Sequence, residues 1–287
     1  MSGDMDDVID CMARMKGEEQ PFAIATVVRS EGATAARSGA KAVIRADGTM
    51  VGWVGGGCTL GAVKKAAAKA LADGQARLIR VRPDEAGPSG EGIEDFTNSC
   101  LSGGTADIFI EPMVPRPALI ILGASPTALA LAGLAKLLGF AVTAAALAGD
   151  VDTFDSVDRR IAGFDLAVEP RAQASYIVVA TQGKRDREAL RNALATGAAY
   201  VAFVGSRRKA GQLAAELADE GADPARLAAL RSPAGIHIGA VTPAEIALSI
   251  LSEIVAERRL GPGALRADTT AQPARKAPAP ASGGCCA

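Results

Sequence analysis

Three consecutive glycines followed by a cysteine, Gly55-Gly56-Gly57-Cys58, constrain this chain more than any other stretch. Glycine loses more backbone freedom on folding than any other residue. A run of three therefore costs stability unless the chain must turn tightly or lie against a ligand. Residues 40–45 ahead of it read as a strand, Asp47-Gly48 as a hairpin turn and residues 49–54 as a short return strand. Residues 60–72 behind it are rich in Ala, Leu and Lys and read as a helix. Cys58 is thus expected near a helix N-terminus, behind a turn whose N–H groups can point outward. Such a start binds anions and lowers a thiol's pKa. A tight turn holding a small buried cysteine is the plainer alternative; a reactive or ligand-contacting thiolate is favoured.

A chain of 287 residues is long for one core, so two domains are expected. Lys plus Arg number 31 against 32 Asp plus Glu, and this balance argues against nucleic acid as a main partner. Apolar residues reach 49% but aromatics only 3%, so the core must be built from Ala, Leu, Ile and Val. No apolar run is long enough to span a bilayer. The acidic start lacks the features of an export signal, and a cytoplasmic protein is expected. Five cysteines, Cys11, Cys58, Cys100, Cys285 and Cys286, are irregularly spaced and read as free thiols. With His237 the sole histidine and no CxxC pair, a zinc site of the usual spacing is not expected.

Taken in order, residues 6–17 have helical periodicity, with Cys11 on the apolar side, and residues 22–28 read as a strand. The polar loop 29–39 carries Arg37, which suits a phosphate or is simply a solvated charge. A strand is expected at 76–81, an acidic, turn-rich surface loop at 83–97 and a strand at 106–110. Before that last strand a second cysteine, Cys100, stands beside the pair Gly103-Gly104, so two Cys–Gly turns could share one pocket. Pro112, Pro115 and Pro117 mark a linker. The expected organisation is an N-terminal α+β domain over 1–114 and a Rossmann-like parallel-sheet domain over 115–260. A disordered tail over 261–287 ends in Cys285-Cys286, where a soft-metal or thiol-exchange role competes with incidental composition.

The second half is α/β in pattern. Strand 118–122, the turn Gly123-Ala124-Ser125-Pro126, a helix through Leu138 and strand 140–146 form a βαβ unit of the dinucleotide-binding type. The glycine fingerprint is degraded: Ser125 and Ala128 replace its second and third glycines. No acid ends the second strand, and Asp150 and Asp152 come late. Strands 176–181 and 200–204 flank a helix at 186–196. The turn Gly205-Ser206-Arg207-Arg208-Lys209 is a cationic helix start that could hold an anion or present a solvated basic face. Thr242, Pro243 and Glu245 form the N-cap, N1 and N3 of a final helix.

Gly39-Ala40-Lys41, leading through Asp47-Gly48 to Val54-Gly55-Gly56-Gly57-Cys58 and then Cys100-Leu101-Ser102-Gly103-Gly104, resembles the N-terminal domain of the XdhC/CoxI family. Leu122-Gly123-Ala124-Ser125-Pro126, Val204-Gly205-Ser206-Arg207-Arg208-Lys209 and Ile238-Gly239-Ala240 with Pro243 and Glu245 resemble its Rossmann-type C-terminal domain. The resemblance covers roughly residues 20–260. It implies a maturation chaperone that binds the molybdenum cofactor and assists its sulfuration and insertion into a xanthine dehydrogenase- or CO dehydrogenase-type molybdoenzyme. It further implies an accessory protein in place of a turnover enzyme, a client molybdenum hydroxylase, a cysteine desulfurase partner and a homodimer. On this reading Gly55, Gly56, Gly57, Cys58, Cys100, Gly103, Gly104 and Arg37 hold the cofactor, with Cys58 and Cys100 at the molybdenum or its sulfur. Gly123, Ser125, Gly205, Ser206 and Arg207 then hold either the nucleotide end of the cofactor, in a cytosine dinucleotide form of the molybdopterin, or an accessory nucleotide. The sequence departs from the family pattern at the Ser125-Pro126 turn, at Gln182, where a histidine is common, and at Leu60-Gly61, where an acid is common. An NAD(P)-dependent oxidoreductase and a thiol or sulfur-transfer protein are the alternatives.

Overall fold

The structure, a computed structural model, describes residues 2–83, 90–97, 104–169, 175–263 and 265. It divides into two compact units, Met1–Pro115 and Arg116–Ala287. In the first, α1 (Ser2–Gly17), β1 (Phe22–Glu31), β2 (Lys41–Arg45), β3 (Met50–Gly52), α2 (Gly57–Asp73), β4 (Arg77–Arg82), β5 (Ile93–Thr97) and β6 (Thr105–Met113) follow one another. The strands form one sheet in the order β3-β2-β1-β6-β4-β5, antiparallel except where β4 meets β5.

Alternation along these strands sends Ala23, Ala25, Val27, Ile79, Val81, Ile108 and Ile110 to one face, where Ala62, Val63, Ala66, Ala67 and Ala70 of α2 cover them. Each large aliphatic buried there contributes about 1.5–3 kcal/mol relative to exposure. Val8, Cys11 and Met15 of α1 pack on the other face against Phe22, Ile24 and Val43.

Two expectations are corrected here. Residues 93–97 are a strand and not part of a surface loop. The ladder to β4 orders them, Phe96 packs on the α2 core, and Arg82 pairs with Asp95 at 3.0 Å. Charge on this edge strand hides it from an apolar pattern, and charge is how exposed edges are usually protected. Pro112 likewise lies inside β6, opposite Ala23, and not in a linker. The β4 ladder starts only at Arg77 opposite Ile110, so on that side Pro112 has no partner strand needing a donor.

The second unit contains β7 (Ala118–Leu122), α3 (Pro126–Leu137), β8 (Ala141–Ala146), a 3-10 turn (Val151–Thr153), β9 (Arg159–Ala162) and β10 (Tyr176–Val179). It continues through α4 (Asp186–Ala195), β11 (Tyr200–Phe203), α5 (Arg207–Asp219), α6 (Pro224–Ala229) and α7 (Pro243–Leu260). All pairings are parallel, in the order β11-β10-β7-β8-β9. Beyond β11, Arg231 forms a parallel bridge to Ala202. The Phe203 N–H donates to the Arg231 carbonyl at 2.8 Å, and the Arg231 N–H to Val201 at 2.9 Å. This short extension supplies the sixth position of the doubly wound order.

Leu119 and Ile121 of β7 face α3 and α7, whereas Ile120 and Leu122 face α4 and α5. The central strand is thus buried on both sides, which explains its unbroken apolar run. At α7 the expected capping box is complete: Thr242 Oγ1 accepts from Glu245 N, and Glu245 returns to the Thr242 N–H. β9 and α6 are additions that the sequence pattern did not predict. Among the described residues no helix is long and apolar enough to cross a membrane.

Candidate cofactor-binding sites

The register of the first sheet gathers its loops at one end. Glu31 pairs with Thr105, Ala42 with Gly52, Val81 with Ala106 and Arg82 with Thr97. The loop 32–40 with Arg37, the turn 53–57 and the start of β6 at Gly104 therefore share that end. Ala36 of the loop and Val54 of the turn pack in one cluster with Ala62 and Val63 of α2. Gly104 is required by close approach, since a Cβ there would sit 2.7 Å from the Ala33 carbonyl carbon and oxygen. Arg37 is exposed in the same loop.

The glycine run separates into two kinds. Gly55 has φ +138°, and its Cβ would press the Thr59 side chain at 3.1 Å. Gly56 has an ordinary φ of −75°, and among the described residues neither it nor Gly57 would bring a Cβ within 4 Å of a neighbour. The fold needs Gly55; among the described residues neither packing nor backbone conformation accounts for the next two. Gly56 is the N-cap of α2 and caps with no side chain, Cys58 is the second helical residue, and no acid stands in the first turn. Among the described residues no side chain caps the N–H groups at the positive dipole end of α2. Cys100 and Gly103, like Cys285 and Cys286, lie outside the described residues. Among the described residues no group of three or more His, Cys, Asp or Glu could hold a metal ion.

In the second unit the strand order reverses between β7 and β10, the crevice where doubly wound sheets bind ligands. Gly123, at φ +102°, brings the β7 turn onto β10: a Cβ there would lie 2.5 Å from Thr181 Cα. Ser125 caps α3 by accepting from the Ala128 N–H at 3.2 Å, and Pro126 removes another donor. The α3 start is thus poorer in free donors than a glycine fingerprint would leave it.

The loop after β10 is held from beneath. Asp186, only 6% exposed, accepts from the Thr181 hydroxyl and, at 2.9 Å, from the Gly183 N–H, and it pairs with the Lys209 ammonium. Burial pushes the Asp186 carboxyl up, but Lys209, Thr181 and Gly183 together hold it below the ordinary carboxylate range. Lys209 belongs to the first turn of α5, which Ser206 caps by accepting from the Lys209 N–H; Arg207 and Arg208 are exposed beside it. Gln182 and Arg185 have φ of +52° and +58°, uncommon for residues with side chains. Lys184 donates to Asp150 at 2.8 Å. The sequence reading passed over Asp186 and Lys184 as site residues; an acid opening the helix after a Gly-Lys-Arg turn was the available signal. His237 is exposed in the segment that precedes α7.

A mixed-sheet unit with a glycine–cysteine helix start, followed by a doubly wound parallel unit, defines an α/β protein with a Rossmann-like second unit. The XdhC and CoxI family matches residues 16–82 and the XdhC Rossmann domain matches residues 119–254, and the chain belongs to this family. It is 32% identical over 260 residues to the uncharacterized protein YqeB of Escherichia coli K12, a match that takes in 88% of this chain and 46% of that protein. The chain thus spans less than half the length of that curated relative. A crystal structure of a xanthine dehydrogenase from Bacillus halodurans aligns at 20% identity with a TM-score of 0.45, over 88% of this chain and 96% of that one.

Proposed function

We propose that this chain binds the molybdenum cofactor and delivers it to a xanthine dehydrogenase- or CO dehydrogenase-type molybdoenzyme, assisting its sulfuration on the way. Family membership supports a maturation role of this kind. The observation that carries the binding reading is that Gly56 and Gly57 open an α2 start with no side-chain cap, and that no packing or backbone demand among the described residues calls for them. The fit is chemical: a pterin phosphate suits the free N–H groups of that start, with Arg37 supplying charge at the same end of the sheet. The cofactor brings its own dithiolene-bound metal. The chain's part is to hold the phosphate end and to shield the metal–sulfur centre from water, with Cys58 and Cys100 as its candidate thiolate contacts. The doubly wound unit, with Ser125, Gly205, Ser206 and Arg207 along its strand ends, holds a nucleotide in a site of its own. The cysteine desulfurase and a second copy of the chain are the further partners of this reading.

Metal and pterin analysis of protein purified from a host that makes the cofactor tests it. Molybdenum and pterin near one per chain, lost in Cys58→Ser, is the expected result. A wild type that retains neither, yet binds a nicotinamide nucleotide, overturns it in favour of an oxidoreductase.

A further inference from the structure

No acid ends the second parallel strand, and Asp150 follows it four residues after Ala146. Residues 147–150 turn back at once: the Asp150 N–H donates to the Leu147 carbonyl at 3.0 Å and the Val151 N–H to the same oxygen at 3.2 Å. Asp150 is the N-cap of the 3-10 turn, but its carboxylate does not cap it. It is turned instead to Lys184, in the loop after β10, at 2.8 Å. β8 and β10 flank β7, with Ala145 and Val179 on either side of Leu122. Their loops are separated by two strand spacings, about 10 Å. The ion pair therefore bridges the two loops that border the Gly123 turn, where the strand order reverses.

We infer that Asp150 is the ribose-binding carboxylate of a ribonucleotide site in the second unit, and that Lys184 holds it until the ligand arrives. This rests on the reading of the doubly wound unit as the holder of a nucleotide. A carboxylate accepts from both hydroxyls of a ribose diol, and those bonds are charge-assisted. Lys184 is an easily displaced competitor. Its side chain is 65% exposed, and an exposed ion pair contributes little. The clamp of Asp186 on Thr181 and Gly183 sets the loop from which Lys184 projects, so the competitor is placed by the fold.

Calorimetry on the full chain with CDP and ADP, each compared with its 2′,3′-dideoxy form, tests the assignment. The wild type is expected to bind the ribonucleotides about tenfold tighter than the dideoxy forms, the worth of a charge-assisted hydrogen bond. Asp150→Asn should erase that preference and leave dideoxy affinity unchanged. Lys184→Met should tighten ribonucleotide binding by about two- to fivefold, and only where Asp150 is present. A wild type indifferent to the diol, or an Asp150→Asn variant that keeps the preference, overturns the assignment. So does a wild type that retains molybdenum and pterin yet binds neither nucleotide, which leaves the cofactor reading standing. Asp150-dependent ribonucleotide binding by a chain that retains no cofactor overturns the chaperone reading instead.

Discussion

The Lys209 ammonium lies on the Asp186 carboxylate, joining the first turn of α5 to the first residue of α4. Because Asp186 also accepts from Thr181 and Gly183, one buried acid sets the loops after β10 and β11 together. Asp186→Ala leaves a hydroxyl and a main-chain N–H without their acceptor and should cost about 2–3 kcal/mol in urea unfolding. The pH dependence has a definite sign. The folded carboxyl lies below its ordinary value, so its contribution is full above about pH 4 and is lost as pH falls through the lower folded value. Asp186→Asn should flatten the acid limb of the stability curve; an unchanged limb would show that the charge carries no stability.

Gln182 is held at φ +52° beside that clamp. A residue with a Cβ in the left-handed region carries a strain of about 1–2 kcal/mol, and glycine does not. Gln182→Gly should therefore stabilise the protein by about 0.5 kcal/mol after its own entropic cost, whereas the β-branched Gln182→Val should destabilise it by about 1–2 kcal/mol. Equal denaturation midpoints for the two variants would mean that the loop relaxes freely.

The sequence announced the elements whose signals are local. Asp47-Gly48 marked the hairpin, Ser206 and Thr242 marked helix starts, and the all-apolar β7 marked a buried parallel strand. It hid the elements whose stability comes from partners distant in the chain. β5 exists through β4 and the α2 core, Pro112 is tolerated because the β4 ladder begins only at Arg77, and the bridge at Arg231 depends on β11. The candidate site divides the same way. The glycine run stood out because three glycines need a reason; the pairing of Asp150 with Lys184 did not, because it joins two loops distant in the chain.

Gly123 tests how rigidly the crevice is built. A methyl group there would strike Thr181 Cα at 2.5 Å and the Ala180 carbonyl oxygen at 2.6 Å, both main-chain atoms, from a backbone at φ +102°. No rotamer change relieves such a contact, so Gly123→Ala should cost at least about 3 kcal/mol or separate the ends of β7 and β10. Hydrogen exchange at Ala180, whose N–H donates to Leu122 at 2.7 Å, would report the separation. Unaltered stability together with unaltered exchange would contradict the close approach.

Gly57 should separate folding from binding. It is the first residue of α2, and a Cβ there meets nothing within 4 Å. Alanine is favoured over glycine in a helix by up to about 1 kcal/mol, so Gly57→Ala should hold or raise the melting temperature. The added methyl group would nonetheless stand over the uncapped N–H groups, so molybdenum and pterin content should fall at least severalfold. Gly61→Ala, one turn further along the same helix and equally open, is the control that should keep both stability and cofactor. Retention that falls in Gly57→Ala alone assigns the glycine run to the ligand. Equal retention in both variants would leave the α2 start without a role in binding.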